Sequence, residues 1–253
     1  MNNANHTPGS TAPSLLITIC ARGGSKGIPG KNVRQLAGKP LIQYTTETAQ
    51  KLMARWPGQR HLALSTDSDE IKQAAAHAGL HTSYTRPDEH ATDSAGKLVT
   101  IRHLLMHEEA AAGRRFDYVL DLDVTSPMRT VADLEAAFAL LETHPTAHNL
   151  YSVNPAARNP YFNMVEALPD GTFATPRDGG LFLTRQSAPD VYDLNASFYY
   201  YRRSFFEDGE SLRVISPRGI VYVMPHMCFD LDHPVDFEFM EYLVSNEKLG
   251  FEL

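Results

Sequence analysis

Leu15-Leu16-Ile17-Thr18-Ile19-Cys20 leads without a break into Ala21-Arg22-Gly23-Gly24-Ser25-Lys26-Gly27-Ile28-Pro29-Gly30-Lys31-Asn32. The first six residues are apolar, include β-branched side chains and stop short of a glycine pair, the pattern of a strand buried on both faces that feeds a functional loop. Outward from it, helical spacing over Leu41–Met53, an apolar run at His61–Ser65 and a helix opened by Asp67-Ser68-Asp69-Glu70 that ends near Gly79 set up a strand–helix–strand rhythm. The rhythm continues with Thr82–Thr85 as a strand, Ser94–Ala112 as a helix, Tyr118–Leu122 as a strand and Val131–Glu142 as a helix. Such alternation predicts an α/β fold, a Rossmann-like, doubly wound and mainly parallel sheet.

Between about Arg158 and Leu194 the rhythm breaks, because Pro160, Pro169, Gly171, Pro176, Gly179, Gly180 and Pro189 interrupt every long element. This stretch reads as an inserted flap or dimerisation arm. Ala196–Tyr201 and Ile220–Val223 then read as strands and His233–Val244 as a closing helix. Residues 1–14 are polar, contain Pro8 and Pro13 and lack the basic start and apolar centre of a secretion signal, so a disordered lead-in is expected before a single domain over 15–253.

The chain has 253 residues and a formal charge of −7, with 23 Lys plus Arg against 30 Asp plus Glu. That balance leaves no broad basic face for a nucleic-acid backbone. An anionic small substrate must then be gripped by locally concentrated Arg and Lys. No apolar run approaches the roughly 20 residues that span a bilayer, so no membrane partner is expected. Cys20 and Cys228, far apart in apolar stretches, make neither a disulfide framework nor a metal-ligand spacing. They read as buried reduced thiols of a cytoplasmic protein.

The loop Ala21–Asn32 holds four cations or amides capable of meeting phosphate (Arg22, Lys26, Lys31, Asn32) among four glycines. Glycines allow backbone N–H groups to turn toward oxygens, and Arg and Lys neutralise a triphosphate. A loop at the carboxyl end of a parallel strand is also where open sheets bind ligands. Two common motifs fail by register. Ser25 stands where a P-loop requires glycine, Asn32 where it requires Ser or Thr, and Gly23, Gly24, Gly27 and Gly30 do not fit Gly-x-Gly-x-x-Gly.

Ala21-Arg22-Gly23-Gly24-Ser25-Lys26-Gly27 followed by Lys31-Asn32 resembles the signature loop of the acylneuraminate cytidylyltransferase (CMP-sialic acid synthetase) family. The resemblance extends over nearly the whole chain, through Ser65-Thr66-Asp67, Arg86-Pro87, Thr125-Ser126-Pro127-Met128-Arg129 and Asp230-Leu231-Asp232 in the family's order. It implies that Ala21, Arg22, Gly23, Ser25, Lys26 and Asn32, with Arg86, bind CTP, and that Arg22, Lys26, Lys31 and Asp232 carry the catalysis. It also implies a homodimer whose arm reaches toward the neighbouring active site.

In an extended segment Asp230 and Asp232 point to one side. Two hard oxygens there suit Mg²⁺, which takes one or two carboxylates plus substrate phosphates. Asp232 is equally well placed to cap the helix beginning near His233. The resemblance favours Asp230 and Asp232 as metal ligands. Asp121-Leu122-Asp123 forms a second such pair, of the kind that holds metal in glycosyltransferases using sugar nucleotides. Members of the sialic branch generally show Gln-Pro-Thr-Ser-Pro where this chain has Asp123-Val124-Thr125-Ser126-Pro127. The departure falls beside the sugar, among Asp123, Thr125 and Ser126, and points away from N-acetylneuraminic acid. Asp123 as a metal neighbour is the other reading.

Ala157–Asn163, Thr184–Pro189 and Tyr192–Ser197 resemble the CMP-legionaminic acid synthetase branch more than the sialic one, and Phe162 stands where the sialic branch usually has lysine. Apolar and amide groups suit a bis-acetamido, deoxy-type sugar, since an unpaired buried polar group is costly. Arg185 and Arg158 are candidates for pairing with the sugar carboxylate, and Gln186 and Asn195 for bonding its hydroxyl or acetamido groups.

The implied reaction is transfer of CMP from CTP to a nine-carbon 2-keto sugar acid. The alternatives are a CMP-N-acetylneuraminate or CMP-pseudaminate synthetase, a metal-dependent glycosyltransferase, and a catalytically silent nucleotide-binding regulator. His103 and His107, at i and i+4, lack the glutamate of a metalloprotease motif and read as partly exposed helix histidines. No Gly-x-Ser-x-Gly elbow supports a serine nucleophile.

Overall fold

The computed structural model describes residues 12–24, 27–92, 94–177, 180, 182–207 and 213–253. The strands are β1 (Leu15–Cys20), β2 (Gln35–Leu36), β3 (Lys39–Pro40), β4 (Arg60–Ser65), β5 (Tyr118–Leu122), β6 (Asn149–Pro155), β7 (Glu166–Ala167), β8 (Phe173–Ala174), β9 (Tyr192–Arg202) and β10 (Gly219–Val223). The α-helices are α1 (Leu41–Arg55), α2 (Asp69–His77), α3 (Lys97–Ala112), α4 (Val131–Glu142) and α5 (Pro234–Ser245). One sheet runs in the order β10-β6-β9-β5-β1-β4, parallel except for β9, which is antiparallel to both neighbours.

Two-residue periodicity divides the core. Leu15, Ile17 and Ile19 of β1 pack with Leu120, Phe198 and Tyr200 toward α1, α2, α4 and α5. Leu16 joins Val119, Tyr199 and Tyr201 on the other face, against Leu98, Ile101, Leu104 and Leu105 of α3. Helices on both faces are the reason that β1 and β5 read as continuous apolar runs.

The antiparallel strand follows from the inserted segment. β6 ends at Pro155, at the edge where β1, β4 and β5 also end, and the chain returns from that edge as β9 without a crossover helix. Within the insertion the short β7 and β8 pair with each other. A register shift between Tyr151 and Val153, opposite Ala196 at φ 59°, bulges β9 where it passes the loops.

Three expectations are corrected. Thr82–Thr85 forms no strand. It runs irregularly beside the edge strand β4, with the Thr82 hydroxyl donating to the Leu64 carbonyl at 3.4 Å and the Arg86 N–H to the Thr66 carbonyl at 3.0 Å. β6 was not anticipated, because Asn149, Ser152 and Asn154 interrupt its apolar pattern. Tertiary partners satisfy them: the Asn149 amide donates to the Val214 carbonyl at 2.7 Å and the Ser152 hydroxyl to Asn195 Oδ1 at 2.6 Å. The expected lead-in falls outside the described residues as far as Thr11. Ser14 is part of the fold, its N–H and hydroxyl both donating to Asp117 Oδ2 at 2.7 Å.

Candidate active site

The loop that leaves β1 is held open from beneath. The Ala21 N–H donates to the Ser65 carbonyl at 3.0 Å, the Gly23 N–H to Asp67 Oδ1 at 2.9 Å, and the Asn32 side-chain amide to the Arg22 carbonyl at 2.9 Å. Asn32 is buried, so its amide shapes the loop instead of standing in solvent for a ligand. Arg86 is buried as well and spends Nε and one terminal nitrogen on Ser65, at 3.0 and 2.8 Å. Ser25 and Lys26 lie outside the described residues.

Next to this loop a cavity of about 220 Å³ opens, lined by Arg22, Arg86, Lys97, Asp123, His90 and Thr92 among others. Cys20 is partly exposed into it and not buried as the sequence suggested, and desolvation pushes its thiol pKa up. Lys97 escaped the sequence reading altogether. It lies at the start of α3, and its ammonium stands 2.8 Å from Asp121 Oδ2 and 2.8 Å from Asp123 Oδ2. The only sequence signal was its sign: a cation in the first helical turn opposes the helix dipole, and no acidic residue shares that turn.

The Asp121-Leu122-Asp123 pair is therefore occupied. Asp121 is fully buried and accepts from the Thr18 hydroxyl at 2.8 Å in addition to meeting Lys97. Asp123 Oδ1 accepts from both N–H and hydroxyl of Thr125 at 2.9 Å, and Oδ2 from Lys97. Burial alone would raise the Asp123 pKa, but Lys97 and Thr125 hold it down at about 2. The same two carboxylates override the burial that would lower Lys97 and raise it well above the usual lysine range. Asp123 is thus tied to Lys97 and Thr125 while still lining the cavity, so a sugar or metal there would share it with these partners.

Ser126 and Asn195, expected at the sugar, are both buried and engaged by the fold. Ser126 is fully buried and donates to the Asn195 carbonyl at 2.5 Å. The Asn195 side chain accepts from Ser152 and donates to Asn154 Oδ1 at 2.7 Å. Both carry the bend between sheet and loops. Arg129, quoted in the sequence but given no role there, is the clamp beneath them. It is 1% exposed and donates to the carbonyls of Asp123, Ser126 and Ser197 at 2.8–2.9 Å and to the Thr45 hydroxyl at 2.7 Å.

The second acidic pair behaves differently. The N–H of Leu231 donates to the Thr125 carbonyl at 2.9 Å, which pins the segment beside the loop, with Leu231 turned into the core between its two neighbours. Asp236, not Asp232, caps α5: its Oδ2 accepts from the N–H groups of His233 at 2.7 Å and Asp232 at 3.1 Å. The Asp232 carboxylate stays exposed, 3.6 Å from the Lys31 ammonium, and Lys31 also donates to the Leu231 carbonyl. Lys31 thereby ties the glycine loop to the acidic pair. Gly27 makes the same approach possible, since a Cβ there would stand 2.3 Å from the Asp232 carbonyl oxygen.

Asp230 Oδ1 is buried without a hydrogen-bond partner among the described residues. Burial, together with the charges of Asp123 and Asp232, pushes the Asp230 pKa up to about 6. A buried orphan oxygen beside a second carboxylate fits a hard cation, whose charge removes the penalty. Among the described residues no group of three or more His, Cys, Asp or Glu converges, so substrate oxygens and water would have to complete such a shell.

In the insertion, Arg158 is exposed with its guanidinium 3.4 Å from the neighbouring Ala157 carbonyl, and Gln186 is exposed on a single 3₁₀ turn. The side chain of Arg185 lies outside the described residues. Among the described helices none is long and apolar enough to cross a membrane.

The cytidylyltransferase family model matches residues 16–248. The chain is 36% identical over 238 residues to post-translational flagellin modification protein B of Campylobacter coli, spanning 93% of this chain and 97% of that protein. It is also 36% identical over 239 residues to CMP-N,N'-diacetyllegionaminic acid synthase of Campylobacter jejuni, with the same coverage of 93% and 97%. Among solved structures, CMP:2-keto-3-deoxy-manno-octonic acid synthetase complexed with CTP superposes at a TM-score of 0.64 and 18% identity, over 92% of this chain and 99% of that one, a likeness of fold.

Proposed function

This chain belongs to the cytidylyltransferase family, and we propose that it joins CMP from CTP to a legionaminic-type nonulosonic acid, releasing pyrophosphate, for bacterial surface glycan synthesis. The observation that carries the reading is the meeting of two halves. A cavity walled by Arg22, Arg86 and Lys97 opens at the carboxyl ends of β1 and β5, and Lys31 and Gly27 bring the Asp230–Asp232 pair against the same loop.

In the proposed reaction the anomeric hydroxyl oxygen attacks the α-phosphorus in line. One P–O bond forms as the bond to pyrophosphate breaks, and the hydroxyl proton passes to solvent. Arg22 and Arg86, with Lys26 of the same loop, hold the nucleotide and offset its charge. Lys31, already at the acidic pair, is placed to follow the leaving phosphates. Asp230 and Asp232 would hold Mg²⁺, which when bound supplies further neutralisation of the phosphates. Arg185 and Arg158 remain the candidates for the sugar carboxylate, and Gln186 for its hydroxyl or acetamido groups.

Engagement of the Asp121–Asp123 pair by Lys97 disfavours the glycosyltransferase alternative, which needs that pair for metal. A homodimer, in a cytoplasmic setting, completes the proposal. It is supported by the large apolar side chains exposed on the insertion, including Val165, Phe173 and Leu183.

The test is incubation with CTP, Mg²⁺ and, separately, diacetyllegionaminic, pseudaminic and N-acetylneuraminic acids and Kdo, following pyrophosphate release and product mass. Product chiefly with legionaminic acid is expected. Product chiefly with another acid would overturn the sugar assignment, and no CMP-sugar with any of them would overturn the reaction.

A further inference from the structure

Four ionisable groups at the floor of the cavity form one arrangement that the reaction as described leaves unused. Lys97 bridges Asp121 and Asp123 at 2.8 Å each, its ammonium 4.6 Å from the centre of the Tyr199 ring. The burial that raises the Tyr199 phenol to about 12 keeps that ring neutral. The Lys97 side chain is 32% exposed and that exposure faces the cavity shared with Arg22 and Arg86.

Among the described residues at this cavity, Lys97 is the cation that Asp121 and Asp123 hold directly, at 2.8 Å each, beside Arg22 and Arg86. Without Lys97 the two carboxylates lose the counter-charge that meets them, with Asp230 and Asp232 close by. A ligand that brings several negative charges into a site of reduced dielectric is sensitive to a change of that size. Lys97 also sits where local helix preference is against it, and a broken local rule held in place by tertiary contacts marks a constraint from outside the helix.

From this geometry we infer that Lys97 is a positioning residue for the nucleotide: clamped by Asp121 and Asp123, it cancels their charge and keeps the cavity positive for an anionic ligand. The inference rests on the reading of the site as a CTP site. Asp123 serves as counter-charge to Lys97, not as a sugar contact, so the two side chains form a unit that must change together.

The test uses the full chain and measures affinity for CTP, CDP and CMP by calorimetry, alongside steady-state kinetics. Lys97→Met is expected to weaken CTP by about tenfold or more, and CMP by clearly less, because the loss scales with ligand charge. The rise appears in KM, with kcat within about threefold. Lys97→Met/Asp123→Asn is expected to recover most of the lost CTP affinity, and Lys97→Arg to keep it. Equal losses for CTP and CMP, or a double variant no better than Lys97→Met, overturn the inference. If Lys97→Met does not fold, Lys97→Arg and the double variant decide it: CTP affinity as low as about a tenth of wild type in either overturns it. Wild-type protein that binds no CTP would instead overturn the reading of the site.

Discussion

Replacement of Gly27 by alanine tests the approach of the glycine loop to the acidic pair. The added methyl carbon would stand 2.3 Å from the Asp232 carbonyl oxygen, where ordinary contact begins at 3.4 Å, and the obstacle is backbone. Loop and acidic segment must separate by about 1 Å, and a displacement of that size between reacting groups costs roughly 100-fold in rate. The loop is exposed at Gly27, so it yields without opening the core, and stability should fall by no more than about 1 kcal/mol, or roughly 2–4 °C in Tm. Gly24 is the matched control, since a Cβ there meets nothing within 4 Å. CMP-sugar formation at saturating CTP, with thermal unfolding of both variants, gives the result. Gly27→Ala within about threefold of wild type, or Gly24→Ala equally damaged, would refute the argument that this contact sets the geometry.

Arg129→Met strips its hydrogen bonds from three buried carbonyls and should cost on the order of 3–5 kcal/mol in urea unfolding, with a loss below about 1 kcal/mol counting against its role as the clamp of the 123–129 turn. Asp230→Asn removes a buried carboxylate with an orphan oxygen, so it should abolish turnover yet raise Tm at pH 7 in chelator. The sign follows from the folded pKa of about 6 against 3.8: the folded state binds more protons in that window, so this group's contribution falls as pH rises through it, and the variant should lack that slope. His226 and Asp133, 3.0 Å apart, shift in the usual opposing directions, His226 up by pairing with Asp133 despite burial, and Asp133 down despite burial by pairing with His226 and Thr130. Their contribution is present above the ordinary Asp value of 3.8 and below the ordinary His value of 6.5, and is lost on either side. His226→Gln should therefore destabilise most near pH 5 and least above pH 8, and a pH-independent loss would point to packing against Phe251 instead.

What the sequence determined by itself lies where local pattern and burial agree. β1 and β5, buried on both faces, keep their boundaries at Leu15–Cys20 and Tyr118–Leu122, and α4 keeps Val131–Glu142, with Thr130 and Asp133 capping each other. The glycine loop and the Asp230–Asp232 pair stand out in the sequence because their residue types are unusual for a bland turn. Tertiary structure alone decided the rest. Asp121 and Asp123 are the same Asp-x-Asp in sequence as Asp230 and Asp232, yet Lys97, 24 positions before Asp121, reaches them and turns a metal pair into a strut. Asp232 escapes the capping role that its position offers because Asp236 takes it, and Asp230 keeps one oxygen without a hydrogen-bond partner among the described residues. Ser126 and Asn195 look like ligands for a substrate until the fold brings the Asn195 carbonyl to Ser126 and the Ser152 hydroxyl to the Asn195 side chain. The physical reason is one of range. Hydrophobic periodicity is set within a few residues, whereas the charge and hydrogen-bond partners that decide a polar side chain's role come from segments tens to a hundred residues away.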